Sequence, residues 1–246
     1  SSFFSGRVGG RSCCPDFDEL VNHVVQFTIR MSTQFSRSKG MALCGGSLGG
    51  ALVAYSVKGI LQQLPQSQEH PDFYGVALLA PALGVSPQAI PPAPIVMALK
   101  TLSYLLPSQG ILTPIEHPTY ACPPSSTRNF AGRWPLSTSN MLLDLTSRRV
   151  PEDVQSNNVQ NQMEGLPALC IIAGDNDYVV PISSITQWYE AVTNLSSEKG
   201  EKKLIVLEGA DHDFFHEGGS HKSAKKNAFA EKLFDWLNGL ASKDFE

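Results

Sequence analysis

The chain has 246 residues, a length that fits one large domain or a domain carrying an insertion. Apolar residues make up 42% and charged residues 17%, the mixture of a packed globule. With 19 basic against 23 acidic side chains the net charge is −4, which argues against a nucleic-acid partner.

Cysteine and hydropathy patterns narrow the class further. Five cysteines are an odd count, and no paired spacing among them suggests a zinc site. Cys13 and Cys14 are adjacent and cannot easily bridge each other, while Cys44 and Cys170 sit in apolar runs and read as small buried hydrophobes. A reducing compartment is the simpler inference. No apolar run approaches the roughly 18 residues of a membrane span. The opening Ser1–Ser5 stretch lacks the charged flank of a signal peptide. The expected location is the cytoplasm or the periphery of a membrane surface.

In chain order, residues 1–12 read as a loop rich in Gly, Ser and Arg. From Asp16 to Phe35, apolar side chains recur at Phe17, Leu20, Val21, Val24, Phe27 and Met31, the spacing of a helix, with Asp16 as its N-cap. The run Met41–Cys44 predicts a strand, and a helix is predicted from Gly50 to Leu64. Between them stands Gly45-Gly-Ser47-Leu-Gly49, the pattern G-x-S-x-G. In a strand–turn–helix setting this is a nucleophile elbow: the serine sits on a strained turn, and glycines on either side let strand and helix pass closely. The N–H of Leu48 opens the helix and can donate to an oxyanion, aided by the helix dipole. Without catalysis, Ser47 would merely cap that helix.

Gly75–Ala80 predicts a second strand, apolar on both sides as in a parallel sheet covered on both faces. Residues 82–165 then change character. Prolines cluster between Pro81 and Pro124, and no strand-like run is evident. Ile95–Leu106 is apolar almost all round and Thr138–Arg149 predicts another helix. This stretch reads as a cap inserted over the carboxyl end of the sheet, with residues 1–81 and 166–246 forming the core. The alternation then resumes with the strand Ala168–Ala173, a helix from Pro181 to Asn194, the strand Lys203–Leu207, and a final helix from Ser220 to Leu240. The basic run Lys222–Lys226 reads as a solvated face of that helix. The predicted class is α/β, with a mostly parallel sheet and flanking helices.

The loops after strands carry the chemistry. A serine hydroxyl needs a base to take its proton, and the base needs an orienting acid. Ser47, Asp177 and His212 each follow a predicted strand, in the order serine, acid, histidine. Asp175 competes with Asp177 for the acid role. His216 and His221 lie further from the strand than His212, and Asp211 and Asp213 flank it.

At this point the chain resembles a family. Pro15-Asp-Phe-Asp-Glu-Leu-Val21, Gly45–Gly50, Leu78-Leu-Ala-Pro-Ala82, Gly174-Asp-Asn-Asp-Tyr-Val-Val180 and Gly209-Ala-Asp-His212 resemble, in this order, α/β-hydrolases of the monoacylglycerol lipase and lysophospholipase group. The resemblance runs from about Gly6 to Leu237. It implies Ser47 as nucleophile, Asp177 as acid, His212 as base and the Leu48 N–H as one oxyanion donor. It departs at Gly46, where the family usually has histidine. It also implies that the strands preceding the Asp16–Phe35 helix, with a His-Gly loop that supplies a second oxyanion donor, are missing here. The strand at Met41–Cys44 is then expected to form an open edge, and Gly9-Gly10-Arg11-Ser12 resembles the end of the missing part.

The expected activity is serine ester hydrolysis of a monoacyl lipid, a monoacylglycerol or lysophospholipid, through an acyl-enzyme. No metal or organic cofactor is implied. The apolar Ile95–Leu106 segment, with Leu102 and Leu105, is expected to line an acyl channel or meet a membrane surface transiently; a buried cap helix is the alternative. A non-catalytic binding protein on a truncated hydrolase fold is the competing function.

Overall fold

A computed structural model describes residues 16–36, 38–64, 72–107, 110–112, 133–194, 200–212, 214 and 222–242. The order of elements is α1 (Phe17–Gln34), β1 (Gly40–Gly46), α2 (Leu48–Gln63), β2 (Asp72–Leu79), α3 (Ala93–Leu105), β3 (Gly110–Leu112), β4 (Arg133–Pro135), α4 (Leu136–Asp144), α5 (Val150–Gln155), α6 (Asn158–Met163), β5 (Ala168–Gly174), α7 (Ile182–Thr193), β6 (Glu201–Leu207) and α8 (Lys222–Ser242). A 3-10 turn spans Pro87–Ala89 and a π-turn spans Leu145–Arg149.

Four strands form a parallel sheet in the order β1-β2-β5-β6. All seven residues of β5 are buried, as a continuous apolar run in a central parallel strand requires. Its side chains point alternately to two cores. Leu169, Ile171 and Ala173 join Val76 and Leu78 against residues of α1, α2 and α7. Cys170 and Ile172 join Ala77 and Leu79 against Trp236 and Leu240 of α8. The α/β class and the parallel sheet expected from the sequence are therefore present. β1 is an edge strand among the described residues, so the open edge is there too.

Local chemistry explains where the helices begin. Asp16 caps α1: its Oδ1 accepts from the N–H groups of Asp18 at 2.8 Å and Glu19 at 3.3 Å. α4 passes through the π-turn into α5 at Pro151. A proline inside a helix has no N–H to donate and its ring crowds the preceding turn, and the π-turn ends two residues before it.

Arg149, at the end of that turn, lies over the rings of Phe17 and Tyr55 at 5.1 and 4.9 Å from their centroids. It also pairs with Asp18 at 2.7 Å. Tyr55 in turn donates to Asp153 at 2.7 Å. Burial and the neighbouring Asp153 carboxylate push the Tyr55 phenol up, so it remains a donor. These contacts clasp the stretch between β2 and β5 to α1 and α2.

Two expectations need correction, and one alternative is decided. The stretch between β2 and β5 does contain strands, the short antiparallel pair β3–β4. At three residues each, they are too short to show a period in the sequence. Cys44 is exposed, while Cys170 is buried and its thiol is pushed up to about 12 by that burial. Cys44 lies opposite Ala77, on the α8 side of the sheet, at an edge strand that the central packing of α8 leaves open. Finally, α3 is not a buried helix: Ser103 is its one buried residue among those described.

Gly9–Ser12, Cys13, Cys14, His70, His117, Asp213, His216 and His221 lie outside the described residues, and the side chains of Lys222–Lys226 are not described. No helix among the described residues is long and apolar enough to cross a membrane.

Candidate active site

The turn between β1 and α2 carries Ser47 at φ 51°, ψ −120°, a conformation costly for a residue with a side chain. Several contacts hold it there. The Ser47 N–H donates to Leu79 O at 2.9 Å, and its carbonyl accepts from Ala82 N–H at 2.9 Å and Ala51 N–H at 3.2 Å. The elbow is thus pinned to the end of β2, which accounts for the Leu78–Ala82 segment recognised in the sequence.

The role of the glycines differs in detail from the sequence pattern. A Cβ on Gly45 would collide with the backbone of Gly49, so Gly45 is needed for the close pass of strand and helix. A Cβ on Gly49 would meet nothing, whereas one on Gly50 would lie 2.9 Å from Pro81 Cβ. The second tight position is therefore Gly50, which the G-x-S-x-G pattern does not mark.

The loops after β5 and β6 bring the other two residues to the same end of the sheet. His212 Nε2 lies 2.9 Å from Ser47 Oγ, and His212 Nδ1 lies 2.7 Å from Asp177 Oδ2. Asp177 and His212 are both buried. The other carboxylate oxygen, Asp177 Oδ1, accepts from the N–H groups of Val179 at 2.9 Å and Val180 at 2.8 Å. That bonding fixes the carboxylate plane toward the imidazole. An acceptor on Nδ1 makes that nitrogen the protonated one in the neutral ring, leaving Nε2 free to accept from the serine hydroxyl.

Asp175, the competing acid, faces elsewhere: its Oδ1 accepts from Gly209 N–H. The Leu48 N–H stands at the first position of α2, where no helical carbonyl precedes it to accept a bond. Leu102 and Leu105 are exposed on α3. Neither lines the cavity of about 240 Å³ walled by Leu83, Ile90, Val150, Val154, Ser184 and Gln187, nor do Ser47, Asp177 and His212. The cavity instead adjoins the loop after β2 one residue beyond Ala82. Sequence reasoning missed its walls because they come from three separated segments. Among the described residues no cluster of His, Cys, Asp and Glu is disposed to hold a metal ion.

A parallel sheet flanked by helices, with Ser47 on a strained strand–helix turn, defines an α/β-hydrolase fold. Residues 4–219 match the family described as serine aminopeptidase, S33, and the chain belongs to that family of α/β hydrolases. Among solved structures, the fold is similar to the monoacylglycerol lipase of Paleococcus ferrophilus, at 17% identity and TM-score 0.60, covering 89% of this chain and 76% of that one. It is also similar to a soluble variant of the monoglyceride lipase of Saccharomyces cerevisiae in complex with a substrate analogue, at 15% identity and TM-score 0.64, covering 91% and 68%. At these identities the likeness is one of fold. No curated protein sequence matches the chain.

Proposed function

We propose that the protein is a serine carboxylic-ester hydrolase acting on monoacyl lipids, a monoacylglycerol or a lysophospholipid, through an acyl-enzyme. The observation that carries the reading is the relay Ser47 Oγ–His212 Nε2 at 2.9 Å and His212 Nδ1–Asp177 Oδ2 at 2.7 Å.

In this mechanism Ser47 Oγ attacks the ester carbonyl while its proton passes to His212 Nε2. The C–O bond to the alcohol breaks, and His212 returns the proton to the departing alkoxide. Water then attacks the acyl-serine with His212 as base, releasing the fatty acid and restoring Ser47. Asp177 holds the imidazole in orientation and stabilises its cation. The Leu48 N–H donates to the oxyanion at the mouth of the α2 dipole.

In this reading residues 82–165 serve as the cap of the hydrolase. The exposed apolar side chains of α3, Leu102 and Leu105 among them, suit a lipid aggregate or a transient membrane contact. The lipase neighbours support this choice of substrate.

A non-catalytic, hydrolase-fold binding role is the alternative, favoured by the unpaired edge of β1 among the described residues. Turnover of a monoacylglycerol and of a lysophospholipid by the purified chain, beside Ser47→Ala, separates the two. Release of fatty acid by the parent chain alone is the expected result. Folded protein with no turnover of either lipid or of a short ester would favour the binding role.

A further inference from the structure

The pairing of β5 with β6 does not stop where the strands end. The last paired residues are Gly174 and Leu207. Beyond them, Asp175 N–H donates to Leu207 O at 3.3 Å and Asn176 N–H donates to Ala210 O at 3.1 Å. Gly174 makes room for this approach, since a Cβ there would strike the Ala210 carbonyl. Asp177 and His212 then face each other two residues beyond Asp175 and Ala210. The two loops are laced together up to the point where acid meets imidazole.

One tie in this lacing comes from a side chain. Gly209 adopts φ 59°, turning the chain out of β6. Its N–H is received by Asp175 Oδ1. We infer that Asp175 is a positioning residue for His212: its carboxylate fixes the Gly209 turn and, through Ala210, sets where the imidazole stands between Ser47 and Asp177. The inference rests on the reading of His212 as the catalytic base.

Asp175 is exposed, so its charge is screened by water and acts weakly at a distance. What it supplies is an acceptor in a fixed place. An asparagine Oδ1 can fill that role and an alanine cannot. A displacement of the base by about 1 Å can lower a rate roughly a hundredfold.

The test uses the full chain and hydrolysis of p-nitrophenyl butyrate, with thermal melting of every variant. Asp175→Ala is expected to lower kcat by about tenfold to a hundredfold, with KM and the melting midpoint little changed. Asp175→Asn is expected to restore most of the lost rate. A merely structural role moves the melting midpoint, and a role in substrate binding moves KM; either pattern overturns the inference. So does an asparagine variant as slow as the alanine variant, which would make the charge the active feature. Asp175→Ser, which keeps a shorter acceptor, serves if the alanine variant does not fold; loss of fold in both makes the tie structural and overturns the inference. Full activity of Asp175→Ala beside an inactive Ser47→Ala sinks this inference alone, whereas an active Ser47→Ala sinks the proposed function beneath it.

Discussion

Asp177 and His212, at the ends of β5 and β6, are 6% and 9% exposed, while Met97, Tyr104 and Leu105 on α3 stand at 71%, 80% and 70%. The polar residues are inside and hydrogen-bonded; the apolar ones are outside. At the strand ends each buried polar atom of the relay has a partner, which is the condition for burying it at all. α3 reverses the usual amphipathic order, since its large apolar side chains gain nothing from water. A surface of that kind is tolerated where it serves contact with something apolar. The first region is built for geometry; under the proposed function the second serves adhesion, and substitutions in the two should then fail differently.

The largest effects belong to the relay. Ser47→Ala or His212→Ala is expected to lower kcat by about 10⁶-fold, because these groups act as a unit. Asp177→Asn is expected to cost about 10⁴-fold, since the amide presents the imidazole with the wrong partner. Steady-state kinetics on a short ester, with circular dichroism to confirm folding, checks all three. If Asp175→Asn proved harsher than Asp177→Asn, the assignment of the acid would be wrong.

Stability should follow the opposite map. Ile171→Ala, in the middle of β5, is expected to cost about 2–5 kcal/mol by removing a fully buried side chain from the main core. Leu102→Ser on α3 should stay within about 0.5 kcal/mol. Denaturant titration measures both, and equal losses would mean that α3 packs as core in solution.

Substrate dependence sharpens the contrast. Paired polar replacements at Leu102 and Leu105 are expected to raise KM for long-chain esters and to leave short-chain esters unaffected. Equal changes for both chain lengths, read from Michaelis curves, would assign the helix no part in meeting lipid.

A separate stability effect concerns the clasp that ties the stretch between β2 and β5 to α1 and α2. Arg149→Leu removes a cation from the faces of Phe17 and Tyr55 and its pairing with Asp18. A loss of about 1–2 kcal/mol in thermal or denaturant unfolding is expected. A variant as stable as the parent would show that apolar packing alone holds the segment.

These contrasts also explain what could be read from the amino-acid sequence. The strands of the sheet and the positions of Ser47, Asp177 and His212 were legible because each obeys a local constraint. A buried parallel strand must be a continuous apolar run, and the elbow must have Gly45 two residues before its serine. The tie from Asp175 to Gly209 was not legible, because it joins residues whose proximity exists only once β5 and β6 are paired. The exposure of Cys44 was missed although the resemblance placed its strand at an open edge, because an apolar run by itself reads as buried. Nor does the composition of Ile95–Leu106 distinguish a helix buried under others from one that faces outward. The π-turn before Pro151 and the three-residue strands β3 and β4 are too local to leave a period.

Whether Ser47 is a nucleophile activated by His212 is read by intact-mass measurement after incubation with a fluorophosphonate, because the reagent traps an activated serine without requiring the correct lipid. The expected result is a single adduct that maps to Ser47, is absent from Ser47→Ala and forms far more slowly in His212→Ala. Folded parent protein that takes no adduct, or an adduct that persists in Ser47→Ala, would contradict this role of Ser47.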